Sequence, residues 1–443
     1  MKTYKKLKFV ELRELGFWDT KRYLNISDKK FKNNITLSDV LIPYKKKISK
    51  REMIEKKYAI ISKINFGGEL FLRDLNDIEN YKGDIYLVPD NSIIYSKINV
   101  KHGCIFYNDK GNTPFGVSSE YPIFTFDNTI VSGKFLQKLL RTQEFKKLLD
   151  TKATGISKAR VKQADFLATR VPLPSLSEQE TIVKNYYDKI TQATTYEQQA
   201  ETLEKNIETY LFETLGIEQK TEGKTKKKGL QFVEFGNLEK WGIDFILSTE
   251  NIKHLFTMYK ISDLCKISSG GTPSRGRKEY FEGSIPWIKT GELNDTIIYD
   301  TEEKITEEAI KNSSAKLYKK DSLVIAMYGA TIGKTAKLGI EATTNQACAV
   351  LFDINTNLIE IDFLWEYLQS QTKRLKKMAY GSAQPNLNAK IISNYNIPIP
   401  PKETQQAIIT QIDTYKNEIK ILRERATLLK QQAEQEFEQT IFS

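Results

Sequence analysis

The chain has 443 residues, enough for about three domains with sizeable cores. Its hydrophobic fraction of 40% and charged fraction of 28% are those of a soluble globular protein, and no apolar run approaches the ~18 residues of a membrane span. A lysine-rich net charge of +11 suits a polyanionic partner, and the distant cysteines Cys104, Cys265 and Cys348 fit reduced thiols in a cytoplasm better than a disulfide framework.

Taken in order, the chain opens on Phe9-Val10-Glu11 with Leu15 and Trp18, where charges interrupt any signal-peptide core. Leu37-Ser38-Asp39-Val40 follows. Strand-like runs come at Tyr58 to Ile64, Asp84 to Leu87, Ser92 to Tyr95 and Pro122 to Phe126. Leu136 and Leu140 mark a short helix, and a polar stretch with Gly155 leads to Val171-Pro172-Leu173-Pro174. A long seam then runs through Tyr186, Ala193, Tyr196, Ala200, Leu203, Ile207, Leu211 and Leu215. Gln219 to Gly229 is a charged linker.

Beyond the linker the same plan returns. Phe232-Val233-Glu234 with Leu238 and Trp241 repeats the opening, and Ile261-Ser262-Asp263-Leu264 repeats the next motif. Strands are predicted within Ile285 to Ile288, Ser322 to Met327 and Ala347 to Phe352. Leu364 and Leu368, Gly381 and Ile397-Pro398-Ile399-Pro400 then recur in register. The second seam carries Ile412, Ile419, Leu422, Ala426, Leu429, Ala433, Phe437 and Ile441. Matches in one order at a nearly constant offset mean two copies of one unit.

The fold class predicted is α+β: two pseudo-symmetric, β-rich mixed lobes separated by two long antiparallel helices. Residues 1–170 form the first lobe, 171–218 the first helix, 219–230 the linker, 231–396 the second lobe and 397–443 the second helix. The seams alternate steps of three and four, a heptad pattern, so the helices are expected to pair within the chain as a spacer. At ~38 residues each would be ~57 Å long. Two lobes at fixed separation suit duplex DNA, whose faces repeat every ~34 Å.

Chemistry-bearing stretches are few. Tyr328-Gly329-Ala330-Thr331-Ile332-Gly333-Lys334-Thr335 is one residue short of a nucleotide-binding P-loop, and no apolar helix follows it. Its backbone and Lys334 could instead meet a nucleic-acid phosphate. Ser268 to Lys278 is either a flexible surface loop or a stretch whose glycines admit a nucleic-acid backbone, with Arg275, Arg277 and Lys278 as contacts. In the first lobe the basic candidates are Lys45, Lys46, Lys47, Lys63, Lys97 and Lys101. Lys158, Arg160 and Lys162 precede the first helix at the place that Gln384, Asn386 and Asn388 hold before the second. His102 and His254 sit near no cysteine at metal-ligand spacing, so no metal site is predicted. No catalytic residue is assigned: there is no nucleophile elbow, and the only Pro-Pro, Pro400-Pro401, follows Ile399 rather than the Asn or Asp of an adenine-methyltransferase tetrapeptide.

Several motifs together resemble specificity subunits of type I restriction–modification systems. They are Ile267-Ser268-Ser269-Gly270-Gly271-Thr272-Pro273, Ile285-Pro286-Trp287-Ile288-Lys289-Thr290-Gly291, Ile325 to Lys334, Thr344-Asn345-Gln346-Ala347, Gly381 to Asn388, and Ile397 to Pro401 with Glu403 and Gln405-Gln406. The first half resembles the family through Val171 to Pro174 and Ser177-Glu178-Gln179, while its lobe lacks the Gly-Gly-Thr-Pro pattern. The resemblance implies two target recognition domains, each reading half of a bipartite double-stranded DNA site, and adds Lys289, Thr290 and Tyr328 to the DNA-contact candidates. It implies helices that fix the gap and dock two methyltransferase subunits, with restriction and translocase subunits joining them. It places S-adenosylmethionine, ATP and magnesium on those partners and none here, in a bacterial or archaeal cytoplasm. An NTP-binding enzyme using Gly333-Lys334-Thr335, or a coiled-coil scaffold without DNA contact, are the competing readings.

Overall fold

The computed structural model describes residues 34–98, 100–152, 160–217, 255–379 and 386–442. The Phe-Val-Glu repeats, the charged linker, Gly155, Gly381, Lys158 and Gln384 lie outside the described residues. The chain divides into two compact units, one running up to Glu197 together with Arg423 onward, the other from Gln198 to Leu422. Both boundaries fall inside long helices, Leu176–Leu215 and Lys402–Phe442, which the sequence treats as segments of their own.

In the first lobe the strands are β1 (Asn34–Thr36), β2 (Ile42–Tyr44), β3 (Lys47–Ile48), β4 (Ile61–Ile64), β5 (Leu70–Leu72) and β6 (Ile85–Val88). They continue with β7 (Ser92–Tyr95), β8 (Ile105–Asn108), β9 (Phe115–Val117), β10 (Ile123–Thr125) and β11 (Arg170–Pro172). One antiparallel sheet has the order β2-β10-β7-β8, a second β3-β6-β9, and β4-β5 is a hairpin. β7 is buried along its whole length because both faces are covered: Ile93 and Tyr95 feed one core, Ile94 the other.

The second lobe has β12 (Met258–Lys260), β13 (Lys266–Ser269), β14 (Ile285–Ile288), β15 (Thr296–Ile298) and β16 (Glu303–Ile305). It continues with β17 (Leu323–Ala326), β18 (Thr335–Leu338), β19 (Thr343–Thr344), β20 (Cys348–Phe352) and β21 (Asn396–Pro398). Its main sheet runs β13-β20-β17-β18-β15, parallel only at β15–β18, and β16-β14-β19 forms the smaller one. In β17, Leu323 and Ile325 face one core while Val324 and Ala326 face the other.

The duplication extends to hydrogen bonds. β1 closes its lobe against β11, Thr36 opposite Arg170, as β12 does against β21, Lys260 opposite Asn396. A short helix follows each, Leu37–Asp39 and Ile261–Leu264. Asp39 accepts the Thr36 N–H at 2.8 Å and Asp263 that of Lys260 at 3.1 Å. Leu37 N–H reaches Thr169 O, and Ile261 N–H reaches Tyr395 O.

Each unit is completed by parts of both long helices. In the first, Ile182, Val183 and Tyr186 join Phe437 and Ile441 on the lobe core. In the second, Ile408 and Ile412 join Leu211 and Leu215. The pairs are antiparallel in both. Tyr186 stands against Phe437, Lys189 bonds Glu436, and Glu197 takes Lys430 at 2.7 Å, so one number falls as the other rises. Tyr210 against Tyr415 follows the same rule in the second unit.

The seam is buried at Ala193, Ala200, Leu211, Ile412, Ile419, Leu422, Ala426 and Ala433. Tyr186, Leu203, Ile207 and Leu429 are half-buried. The first helix carries eight acidic against three basic side chains, the second seven against six. The excess positive charge therefore belongs to the rest of the chain.

Candidate nucleic-acid interface

One end of the main second-lobe sheet gathers motifs that are far apart in sequence. The register sets Ser269 at the end of β13 opposite Ala349 on β20, and Ala326 at the end of β17 opposite Cys348. Backbone bonds tie in the flanking loops: Gly270 N–H to Cys348 O, Gly271 N–H to Thr344 O, Met327 N–H to Ala347 O, and Leu387 N–H to Met327 O. Gly270-Gly271, Met327-Tyr328-Gly329, Asn345-Gln346-Ala347 and Asn386-Leu387-Asn388 thus share one rim. Tyr328, Gln346 and Asn386 are exposed on it. Gln346 was not among the sequence candidates, although its motif was; only the sheet register shows that it lies beside Tyr328.

Gly270 and Gly271 serve the chain's own packing. A Cβ on Gly270 would stand 2.3 Å from Asn345 O, and one on Gly271 2.2 Å from Ala315 N. The Gly271 carbonyl also accepts Trp287 Nε1–H at 3.0 Å. Neither a loose loop nor a cradle for a foreign backbone describes them.

Beyond them Arg275 is held in place. Its guanidinium lies 4.3 Å from the Phe281 ring centre and 4.9 Å from that of Trp287, and donates to Glu303 at 2.6 Å. Lys289 donates to Glu302 at 2.7 Å and Glu303 at 2.9 Å. The two cations hold the Glu303 carboxyl below its usual range, Arg275 first, and the carboxylates hold the Lys289 ammonium above its own. Arg277 bonds the Tyr280 hydroxyl at 3.0 Å, Lys278 is exposed, and Thr290 opens a short 3-10 helix.

The P-loop-like stretch is a turn between β17 and β18. Gly329 and Gly333 take φ of +78° and +79°, conformations glycine adopts without strain. Ile332 and Gly333 N–H are spent on Gly329 O and Ala326 O. Lys334 is bonded to Asp295, which also accepts the Thr335 N–H and hydroxyl. Within the lobe Lys334 anchors the turn, with its side chain still 41% exposed. Asn388, which is exposed, caps the helix Ala389–Ser393 with its side-chain oxygen, accepting the Ile391 N–H at 2.9 Å.

The first-lobe cations fall into separate patches. Lys45 lies over Tyr86, Lys46 is exposed beside it, and Lys47 pairs with Asp84 at 2.7 Å. Lys63 covers Phe71 on the β4-β5 hairpin. Lys101 meets Asp150 at 2.7 Å. Lys97 donates to Ser119 O and Arg160 pairs with Glu120, while the Ile98–Arg160 bridge brings Lys97, Arg160 and Lys162 into one neighbourhood. Among the described residues no cluster of metal-ligating side chains occurs and no helix is long and apolar enough to cross a membrane. The thiols are buried, and burial pushes Cys265 up to about 12 and Cys348 higher.

Residues 254–431 match the family model described as the type I restriction modification DNA specificity domain. The match covers the second lobe and most of the long helix that follows it. Similar specificity subunits include that of the MjaVIII type I enzyme of Methanocaldococcus jannaschii, 24% identical over 348 residues, 76% of this chain and 75% of that one. The EcoR124I/EcoR124II specificity subunit of Escherichia coli is 28% identical over 161 residues, 35% of this chain, so the chain spans only 39% of that relative's length. A chain of a type I restriction–modification system, solved to describe complex assembly and conformational transition, superposes with a TM-score of 0.62 at 17% identity, covering 92% of this chain and 98% of its own. The HsdS specificity subunit of Thermoanaerobacter tengcongensis gives 0.50 at 15% identity, covering 94% and 100%. The specificity-subunit fold is thus common to this chain and to both.

Proposed function

We propose that this chain is the DNA-recognition subunit of a type I restriction–modification complex, in which each lobe reads one half of a divided duplex site. The observation that carries the reading is the duplicated lobe, together with a rim that presents Tyr328, Gln346 and Asn386 to solvent. Lysines and arginines of the lobes neutralise phosphates and supply the salt-dependent part of affinity. Polar side chains read base edges in the major groove, where a Gln or Asn amide matches adenine. Arg275, stacked on Phe281 and anchored by Glu303, supports this reading as a side chain held in one orientation.

The long helices, rich in acid, suit protein partners better than DNA. They set the gap between half-sites, with centres about one helical turn, ~10 bp, apart. In the first unit a groove of about 420 Å³ lies between them, lined by Ile182, Tyr186, Phe437 and Thr440 among others. Methyltransferase subunits dock on the helices and flip the target adenine out of the duplex. S-adenosylmethionine belongs to them, and ATP and magnesium to restriction subunits; this chain performs no bond chemistry. The NTP-binding alternative is weakened, because Lys334 and the N–H groups of Ile332, Gly333 and Lys334 are engaged within the lobe.

The test is co-expression with the cognate methyltransferase subunit and genome-wide mapping of methylated adenine. A two-part motif with one fixed gap is the expected result. Methylation at undivided sites, or none that depends on this chain, rejects the reading.

A further inference from the structure

Two glutamines join each lobe to its long helix through the same three hydrogen bonds. Gln179 Oε1 accepts the Ser132 N–H at 2.9 Å, while Nε2 donates to Ile130 O at 3.1 Å and Pro174 O at 2.9 Å. Gln405 Oε1 accepts the Glu360 N–H at 2.7 Å, and Nε2 donates to Leu358 O and Pro400 O, both at 2.9 Å. Ser132 and Glu360 are the residues from which the lobe helices Gly133–Leu139 and Ile361–Ser370 start. Pro174 and Pro400 close the Pro-x-Pro entries. Both glutamine side chains are 0% exposed.

Each amide uses both donors and its acceptor, so no other residue type fills the place: Glu has no donors, Asn is a methylene too short, and Met forms no such bonds. The apolar contacts between lobe and helix are non-directional and tolerate small rotations. A saturated amide that makes three bonds to two stretches of backbone does not, because hydrogen bonds weaken steeply away from their preferred angles. The two clamps are a directional constraint at the point where each helix leaves its lobe. A small turn at the clamp becomes a larger displacement at the DNA-reading face.

We propose that Gln179 and Gln405 are positioning residues that fix the pitch of each lobe on its helix and thereby restrict the complex to one gap length. This rests on the bipartite reading above and deepens it, since helix length alone would leave the lobes free to swing across neighbouring gaps.

The experiment uses the full chain with its methyltransferase partner in cells, and a plasmid library holding the two half-sites at every gap from several base pairs below to several above the native one. Wild type should methylate one gap. Gln179→Met and Gln405→Met, similar in size and without the three bonds, should lower the ratio of native to neighbouring gaps by roughly tenfold or more, as ångström-scale misplacement does at reacting centres. Phe166→Leu, a core change in the first lobe, is the control: it should lower total methylation at unchanged gap ratio. If the Met variants do not accumulate folded, Gln179→Asn and Gln405→Asn, which keep a neutral amide one methylene short of the three partners, give the readout. Folded variants with the wild-type gap ratio overturn the clamp and leave the bipartite reading intact. Wild-type methylation without a divided motif overturns the bipartite reading itself, and the clamp's role with it.

Discussion

In one dimension Gly270 and Gly271 resemble residues that let a ligand's backbone approach, yet in the fold the approaching backbone is Asn345 and Ala315. Gly271→Ala should therefore destabilise the second lobe by at least about 2 kcal/mol, read from urea unfolding, because the new Cβ meets backbone that cannot swing aside. Arg275→Ala should cost about 1–3 kcal/mol of DNA affinity and relax discrimination at one base, if its anchored guanidinium reads an edge rather than a phosphate. A uniform loss across all sequences, with a shallower salt slope, would assign it to a phosphate instead. Glu366 supplies a pH test. Burial pushes its carboxyl above the ordinary 4.5, with Lys416 opposing the shift only in part. A group that holds its proton more tightly when folded favours the fold most at low pH and less as pH rises through the raised value. Thermal melting of Glu366→Gln against wild type should show little difference below pH 4.5 and a growing advantage for the variant above it. A difference independent of pH would contradict this.

The long helices show how far a pattern specifies an element. Steps of three and four predicted the seam, and Ile412, Ala426 and Ala433 are buried on it. What the pattern left out is that one helix must meet the other at small residues. Between the Lys189–Glu436 and Glu197–Lys430 ion pairs stand Ala193 and Ala433, both within 2% of full burial. Ala193→Leu should overfill that level and cost about 1–3 kcal/mol in thermal or denaturant unfolding. Ile412→Ala, which empties a site wholly closed to solvent, should cost about 2–5 kcal/mol, and Leu429→Ala, half-buried, distinctly less. The lobe helices brace the same rods with opposite charges at equivalent positions. Lys138 reaches Glu434 and the Tyr186 hydroxyl, whereas Glu366 reaches Lys416.

At the scale of the whole chain the prediction concerns exchange. Replacing residues 1–170 by the corresponding stretch of another family member should change one half of the methylated motif and leave the other half and the gap as they were. Inserting one heptad after Leu203 should shift the gap or abolish activity, since seven residues add ~10 Å to a helix. Unchanged methylation at the native gap would remove the helices from the measurement of distance.

The sequence by itself determined the duplication, the strands β4, β6, β7, β10, β14, β17 and β20, the two long helices with their heptad seams and the shortage of catalytic motifs, because each is written in local spacing or in self-similarity. It also placed Gln179 and Gln405 five residues past their prolines without revealing what they bind. The tertiary structure decided which half of each helix completes which core, that Lys334 and Asn388 are engaged inside the lobe, and that Gln346 joins Tyr328 and Asn386 on one rim. Apart from the Asn388 cap, which is local, those outcomes depend on sheet register and on packing between segments that the chain separates, from 39 residues for Lys334 and Asp295 to more than two hundred for Lys430 and Glu197.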